Sequence, residues 1–263
     1  MRDILTDLEE ILAQGQADPM GSAQRSMRPK LAKRFYKDVA VSQQADGAFA
    51  VLLDGRPVKT PGKKSLAFVK APVAQLVADE FAAQKEELDP VTMPCFRLAN
   101  TAFDGVALDM QAVIEDILRF SGSDLLCYRA EGPEDLVAKQ RDAWDSPLAW
   151  VEALIGAHFN LAEGVMHVAQ PRETIAGFGA QIRQIEDPVD LAAFHSMMTL
   201  TGSAILALAT YKSHLSAAEC WRAAHVDEDH VIEQWGEDAE AKERRVQRWS
   251  EMDAADRMIK AAR

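Results

Sequence analysis

The sequence predicts an α+β fold, in which a small N-terminal antiparallel β-sheet domain covered by a helix is followed by a larger all-α helical domain. Two observations predict it. Short β-type runs alternate with turn dipeptides between residues 35 and 69, whereas helical periodicity occupies nearly everything beyond residue 92. The chain has 263 residues, 48% of them hydrophobic, which is enough for a sizeable core and excludes disorder as the main state.

The β-type runs predict four short antiparallel strands. They are residues 35–41, 49–53, 58–60 and 66–69. Turn dipeptides that tolerate a positive φ or mark a tight reversal separate them, namely Asp46-Gly47, Asp54-Gly55 and Pro61-Gly62.

The helices follow the strands. Pro72 suits a first helical turn, and the spacing of the next apolar residues through Gln84 predicts a helix that covers one face of the sheet. A brief strand is possible at residues 125–128. The remaining helical patterns span residues 95–103, 110–120, 133–154, 172–185, 189–211 and 216 to the C-terminus.

These patterns divide the chain into three parts. Residues 1–30 combine a short helical pattern with a Gly, Ser, Gln and Pro-rich piece and are interpreted as a flexible arm or linker. We expect the α+β domain at 31–92 and the helical domain at 93–263, with a boundary that could lie as late as residue 130.

Charge and cysteine content limit the partners and the compartment. The chain carries 29 Lys and Arg against 41 Asp and Glu, a formal charge of -12 that repels nucleic acid and anionic membranes. Its three cysteines are too scattered for a disulfide framework, so a reducing compartment is expected. The acidic N-terminus resembles no targeting signal. Together these features favour a cytoplasmic protein.

One uncharged stretch, Leu191 to Tyr211, has about the length of a membrane span. Seven small or polar residues dilute it, among them His195, Gly202 and Ser203. A single buried helix in a helical bundle explains both features better. No stable membrane insertion is expected.

The sequence contains no recognisable catalytic motif. The segment GRPVKTPGKKS at Gly55–Ser65 lacks the spacing of a phosphate loop, and its prolines remove backbone donors. No metal-ligand spacing, serine elbow or dinucleotide turn is present. The sequence therefore predicts no catalytic residue, no cofactor and no metal.

The last helical region carries the most informative pattern. Trp221, Glu228 and Trp235 are spaced by seven, with His225 and Ile232 in the same stripe, so Glu228 is expected along an apolar seam. A buried carboxylate there needs an internal partner, or the seam opens at a surface used by another protein. Both alternatives stay open. The surrounding segment 227–243 holds eight acids, with one lysine and no arginine.

At these residues the sequence resembles the ATP12 family, assembly chaperones for the F1 part of ATP synthase. The resemblance covers nearly the whole chain after the N-terminal arm. Its specific pieces are RFYKDVAV at Arg34–Val41, LDGRPVKTP at Leu53–Pro61, LANTAFD at Leu98–Asp104, the long segment from Asp124 to Trp150, and IEQWGEDAE at Ile232–Glu240.

The resemblance implies a chaperone that binds the unassembled F1 α subunit and catalyses no reaction. The acidic position seven residues before the Trp-Gly pair matches Glu228, and a first-domain aromatic matches Phe81, where the family often has Trp. The expected partner-binding residues are Glu228, Trp235, Gly236, Glu237, Asp238 and Phe81. Eukaryotic members resemble mitochondrial imports, whereas this acidic N-terminus fits a bacterial cytoplasm.

Two other hypotheses stand beside the chaperone. An enzyme of unrecognised type would use Glu228 with His225 or His230 as acid and base, and would need them together in a closed pocket. A membrane-attached assembly factor would depend on residues 191–211.

Overall fold

A computed structural model describes residues 31–164 and 166–263. The predicted arm at residues 1–30 lies outside the described residues. The described chain forms two compact units, one containing residues 31–35 and 84–89 and the other containing residues 36–83 and 90–263. In the first unit, Arg34 donates its backbone N–H to the Glu86 carbonyl at 2.8 Å.

The regular elements follow the predicted order from strands to helices. The strands are β1 Ala32–Lys33, β2 Val39–Gln43, β3 Phe49–Leu53, β4 Arg56–Pro57, β5 Ala67–Phe68, β6 Glu87–Leu88, β7 Tyr128–Arg129 and β8 Ala162–Glu163. The α-helices are α1 Ala71–Ala83, α2 Pro94–Asp104, α3 Met110–Ser121, α4 Glu134–Ile155, α5 Arg172–Ile182, α6 Pro188–Thr201, α7 Ala204–Tyr211, α8 Ala217–Ala224, α9 Val226–Trp235 and α10 Ala239–Ala262.

Strand β3 is the centre of the antiparallel sheet. It pairs with β2, with β4 and with β5, and the β2–β3 register places Val39 opposite Leu53. Instead of a strand at residues 58–60, the structure has β4 two residues earlier and an isolated bridge between Lys59 and Ser65. The first predicted strand begins later, at Val39, while the two glycine turns lie where the dipeptides placed them.

Helix α1 covers the sheet, as predicted. It contacts both β2 and β3. The Tyr36 hydroxyl donates to the Phe81 carbonyl at 2.7 Å, and the Phe81 ring lies edge-on to Tyr36 and Phe96. Aromatic edges packed on faces join the sheet, α1 and α2 in one core. The predicted α+β fold with a mostly helical C-terminal part is confirmed.

The apolar stretch 191–211 forms two helices rather than the single helix predicted. Helix α6 ends at Gly202, whose φ of 69° favours glycine, and the Ser203 hydroxyl then accepts from the Leu206 N–H to begin α7. Nearly all of α7 is buried. No helix in the described part of the chain is long and apolar enough to cross a membrane.

A buried carboxylate holds this break in place. Asp124 accepts hydrogen bonds from the Ser203 hydroxyl at 2.8 Å and from the Ile205 and Leu126 backbone N–H groups at 3.0 and 3.1 Å. Burial raises the pKa of Asp124 to about 6. The carboxylate therefore satisfies donors at the start of α7 that have no partner within the helix.

The C-terminal region comprises three helices where the sequence predicted one run. Helix α8 opens with a capping box between Ser216 and Glu219 and ends at His225, after which α9 begins at once. The Trp144 indole N–H donates to the Ala223 carbonyl at 2.7 Å, which satisfies one carbonyl at the end of α8. Helix α10 packs along α6 and also contacts α1 and α2. The domain boundary near residue 92 stays a prediction.

Candidate partner-binding surface

Helices α9 and α10 meet in a corner, residues 226–247, which we call the α9–α10 corner. Gly236 ends α9 with a φ of 87° and donates its N–H to the Ile232 carbonyl at 2.8 Å. Two residues later the Asp238 carboxylate accepts from the Ala241 N–H at 2.9 Å and begins α10. Glycine adopts a positive φ at little energetic cost, so Gly236 allows the chain to turn between α9 and α10.

The corner exposes large apolar side chains to solvent. Trp235 is 87% exposed, Val246 62% and Val231 56%. The prediction that one apolar seam runs from Trp221 to Trp235 is therefore wrong, because Trp221 is buried whereas Trp235 is exposed. Helix α8 ends at His225 and α9 begins directly after it, so the seven-residue spacing does not continue along one helix.

Glu228 lies on α9 with its side chain 44% exposed, and its carboxylate is 3.7 Å from His225 Nε2. The His225 Nδ1–H donates to the Trp221 carbonyl at 2.7 Å, which leaves Nε2 as the unprotonated nitrogen facing Glu228. Burial holds the pKa of His225 below its usual value. The neutral form of the imidazole is therefore favoured, which weakens the internal attraction between His225 and Glu228.

Three acidic residues near Glu228 already pair with cationic side chains. Arg245 of α10 lies 2.5 Å from Asp229, and this hydrogen bond raises the pKa of the guanidinium. Lys242 lies 2.7 Å from Glu237 within the corner. Lys139 of α4 pairs with Glu233. These contacts neutralise part of the negative charge of the corner, and the Arg245–Asp229 pair joins its two helices.

A cleft of about 210 Å³ opens between α9 and α10. Its walls combine charged side chains with apolar ones, and they are Glu228, Val231, Ile232, Gly236, Glu237, Asp238, Ala241, Lys242 and Arg245. Four of the six residues expected to bind a partner thus border one cleft, and Trp235 stands next to it in the chain. Sequence reasoning did not identify Val231 and Val246 as members of this surface. For Val231 a signal was available, because it lies four residues before Trp235 and therefore on the same face of α9.

Phe81 does not belong to this surface. Its side chain is 4% exposed and packs in the core between the sheet and α2. A direct contact with a partner requires an exposed side chain, so the expectation that Phe81 binds a partner is corrected to a core role.

The α9–α10 cleft does not bring together the acid and base of the enzyme hypothesis. Glu228 lines the α9–α10 cleft, whereas neither His225 nor His230 is among its wall residues. His230 is buried against α4, with Nδ1 3.7 Å from the Asp135 carboxylate. Over residues 31–164 and 166–263, no group of three or more His, Cys, Asp or Glu side chains could hold a metal ion.

Comparison with known proteins gives the same family as the sequence motifs. Residues 33–152 match the family model described as ATP12 chaperone protein. A crystal structure from Agrobacterium tumefaciens, of a protein described as a candidate chaperone, is 51% identical over 98% of this chain and 97% of its own, with a TM-score of 0.86.

Two further solved structures carry the family name. ATP12 from Paracoccus denitrificans is 35% identical over 88% of this chain and 99% of its own, with a TM-score of 0.81. An aspartate-to-lysine mutant of the same protein matches with 34% identity over 88% and 98% of the two chains, also at 0.81. At this identity and coverage, the chain belongs to the ATP12 chaperone family.

Proposed function

We propose that the protein is an assembly chaperone that binds the unassembled F1 ATP synthase α subunit and shields its subunit interfaces until the F1 complex forms. Family membership supports the chaperone role. The observation that carries the proposal is Trp235, a large aromatic side chain that is 87% exposed and directly precedes Gly236, a wall residue of the cleft. Exposed aromatic residues of this kind are typical anchors of protein interfaces.

This activity needs no chemical step. An α subunit before assembly exposes apolar surfaces that later meet other subunits, and such surfaces promote self-association. A chaperone that covers them must also yield to the final partner, so we expect a dissociation constant between micromolar and nanomolar, about -8 to -12 kcal/mol. Exchange of partners can then release the client without ATP hydrolysis by this chain.

The proposed contact set is the exposed face of the α9–α10 corner. It comprises Glu228, Trp235, Gly236, Glu237 and Asp238 from the sequence, joined by Val231 and Val246. An apolar centre with acidic residues around it fits a client patch that has an apolar centre and a basic rim. We place the complex in the bacterial cytoplasm, in keeping with the acidic composition.

Capture of purified F1 α subunit tests the proposal. We expect the wild-type protein to form a complex that elutes as one peak in size-exclusion chromatography and to suppress α-subunit aggregation. Trp235→Ala should weaken capture at least tenfold. Leu108→Ala, at an apolar residue that is 70% exposed elsewhere on the surface, is the matched control and should capture normally.

Failure of the wild-type protein to capture the α subunit would overturn the choice of client. Equal loss of capture in Trp235→Ala and Leu108→Ala would instead show that no specific contact is made at the corner.

A further inference from the structure

Strand β2 forms one edge of the antiparallel sheet. Among the described residues it pairs with β3 alone, whereas the other side of β3 is taken by the two-residue strands β4 and β5. The five residues of β2 pair with β3 in a continuous register without a bulge. We call the unpaired side of Val39–Gln43 the β2 edge.

The odd-numbered residues of β2 direct their backbone groups to the β2 edge. In an antiparallel pair, positions that are hydrogen-bonded to the neighbouring strand alternate with positions that are not. The Asp54 N–H donates to the Asp38 carbonyl at 2.9 Å. At the other end of the pair, the Gln44 N–H donates to the Ala48 carbonyl at 2.7 Å. Even-numbered residues therefore bond to β3, and the odd-numbered ones point away from it.

The hydrogen bonds of Val51, which lies opposite Val41, support this assignment. Val51 donates its N–H to the Leu66 carbonyl at 3.3 Å, and its own carbonyl accepts from the Val58 N–H at 2.9 Å. Both groups are thus used on the side of β3 away from β2. Within the described chain, no backbone partner meets the outward N–H and carbonyl of Val39 or Val41.

The β2 edge lacks the features that usually keep a free edge from pairing. Edge strands of soluble proteins are commonly protected by a lysine, a proline, a bulge or a covering element, because unpaired backbone groups recruit another strand. The sequence of β2, VAVSQ, has no charged residue and no proline. Its main contacts are with β3 and α1. The backbone groups at this edge are therefore suited to a partner segment in an extended conformation.

The side chains of β2 indicate which residues such a segment should present. Val39 and Val41 are half-buried and lie opposite the buried Leu53 and Val51, so they belong to the core face of the sheet. Ala40 is exposed on the other face. Successive residues of an added strand would alternate between these faces. Apolar residues at every second position would cover the exposed parts of the two valines.

We propose that the β2 edge binds an extended segment of the client by β-strand addition, with apolar residues at alternate positions packed beside Val39 and Val41. Main-chain hydrogen bonds supply affinity in this mode, and the alternate side chains supply selectivity. The proposal rests on the proposed chaperone function for the identity of the client. A second copy of this chain suits the edge less well, because each copy carries a formal charge of -12 and the copies repel one another.

Titration of the full chain with the peptide acetyl-KTVTVTVK-amide, which alternates Val with Thr, tests the proposal. Amide hydrogen exchange is followed at single-residue resolution. In the free protein the N–H groups of Val39 and Val41 should exchange faster than those of Ala40 and Ser42. Saturating peptide should slow exchange at both valines at least tenfold, with a dissociation constant below about 1 mM.

Val41→Pro and Val41→Ala form a matched pair of variants. Both shorten or constrain the side chain, but only proline removes the outward N–H. Because this N–H does not bond to β3, proline at the edge leaves the β2–β3 hydrogen bonds in place. We expect Val41→Pro to bind the peptide at least tenfold more weakly than Val41→Ala. Circular dichroism of both variants verifies that they remain folded.

A control peptide avoids any change to the protein. Acetyl-KVVVTTTK-amide has the same composition without the alternation, and it should bind the wild-type chain at least tenfold more weakly. Unchanged exchange at Val39 and Val41 at about 10 mM peptide, or equal affinity for the two peptides, would overturn the proposal. So would a free chain that sediments as a dimer and becomes a monomer in Val41→Pro, since the edge would then belong to a second copy.

The peptide experiment does not use the F1 α subunit, so the two proposals fail separately. Peptide protection at the β2 edge without capture of the α subunit would overturn the choice of client and leave strand addition standing. Capture of the α subunit without protection by the peptide would overturn strand addition alone.

Discussion

Arg245 of α10 and Asp229 of α9 approach to 2.5 Å, and this ion pair joins the two helices that carry Trp235 near their corner. The Arg245 side chain is 22% exposed and that of Asp229 is 42% exposed, so the pair is partly shielded from water. Arg245 lines the same cleft as Glu228. The pair therefore holds the angle at which the corner presents its exposed side chains.

Asp229→Asn should loosen the corner while leaving the fold intact. Both side chains are still partly exposed, so we expect the free energy of unfolding to fall by less than about 1 kcal/mol. Amide hydrogen exchange at residues 236–241 should accelerate. Glu240→Gln, which removes an exposed pair with Arg244 inside α10 alone, is the control and should not change exchange across the corner. Unchanged exchange in both variants would show that the corner is held by other contacts.

Trp235→Ala and Trp221→Ala should have very different effects on the free energy of unfolding. Trp221 is 8% exposed and packs on His225 and Trp249, so its truncation should cost about 3 to 5 kcal/mol. Trp235 is 87% exposed, and its truncation should change stability by less than about 0.5 kcal/mol. Urea unfolding monitored by circular dichroism measures both. A large loss in Trp235→Ala would mean that this ring is buried in solution.

The sequence pattern predicted most helices and strands correctly, but it placed Trp221 and Trp235 on one helix although α8 ends between them. Periodicity located the sheet, its covering helix and most later helices, because local spacing decides which face can be buried. It failed at His225, where no glycine or proline marks the end of α8. That end depends on a tertiary contact, the Trp144 indole N–H on the Ala223 carbonyl, which local sequence does not reveal.

The prediction of a single helix over residues 191–211 failed for a different reason. Glycine followed by serine is a stop and start signal, and the structure uses both residues in that way. Uniform hydrophobicity across residues 191–211 concealed the signal, since both helices are buried on nearly all sides.

The acidic Trp-Gly segment identified the candidate site in the sequence. The sequence did not predict that Trp235 is exposed, because its exposure follows from the way α9 ends at Gly236.

The neutral His225 makes stability depend on pH. Because burial lowers the pKa of His225 in the folded state, the folded protein binds fewer protons than the unfolded chain. The contribution is fully present above about pH 6.5, the ordinary histidine value, and is lost as the pH falls through the folded-state pKa. Compared with His225→Gln, the wild-type protein should lose melting temperature between pH 7.5 and pH 5. A pH-independent difference between the two would contradict this.

Gly62→Ala should destabilise the hairpin loop. The Asp104 carboxylate accepts from the Gly62 N–H and from the Thr60 hydroxyl, each at 2.7 Å, and a Cβ at residue 62 would lie 2.5 Å from Asp104 Oδ1. Displacing the carboxylate should cost about 1 to 2 kcal/mol. In an Asp104→Ala background the clash disappears, so the same change at Gly62 should be nearly neutral. Additive losses in the double variant would exclude the clash as the cause.

Glu228→Lys and Glu228→Gln distinguish a partner contact from an internal role for this carboxylate. Its carboxylate is 3.7 Å from His225 Nε2, whose lowered pKa favours the neutral ring, and its charge also acts on Arg245 at longer range. Because the Glu228 side chain is 44% exposed, little internal attraction is lost in either variant. We therefore expect both to melt close to wild type. Reversal of charge at a partly desolvated contact should cost about 2 to 5 kcal/mol of binding, so α-subunit capture by Glu228→Lys should fall at least tenfold.

Both properties should be measured on the same preparations, because a folding defect would also abolish capture. Glu228→Gln, which keeps the shape and removes the charge, should lose less affinity than Glu228→Lys. Glu115→Lys, at an exposed acid on α3, controls for the change in net charge and should capture normally. Lost melting would indicate that Glu228 supports the fold through its neighbours. Normal melting and normal capture together would remove Glu228 from the proposed surface and leave Trp235 as its centre.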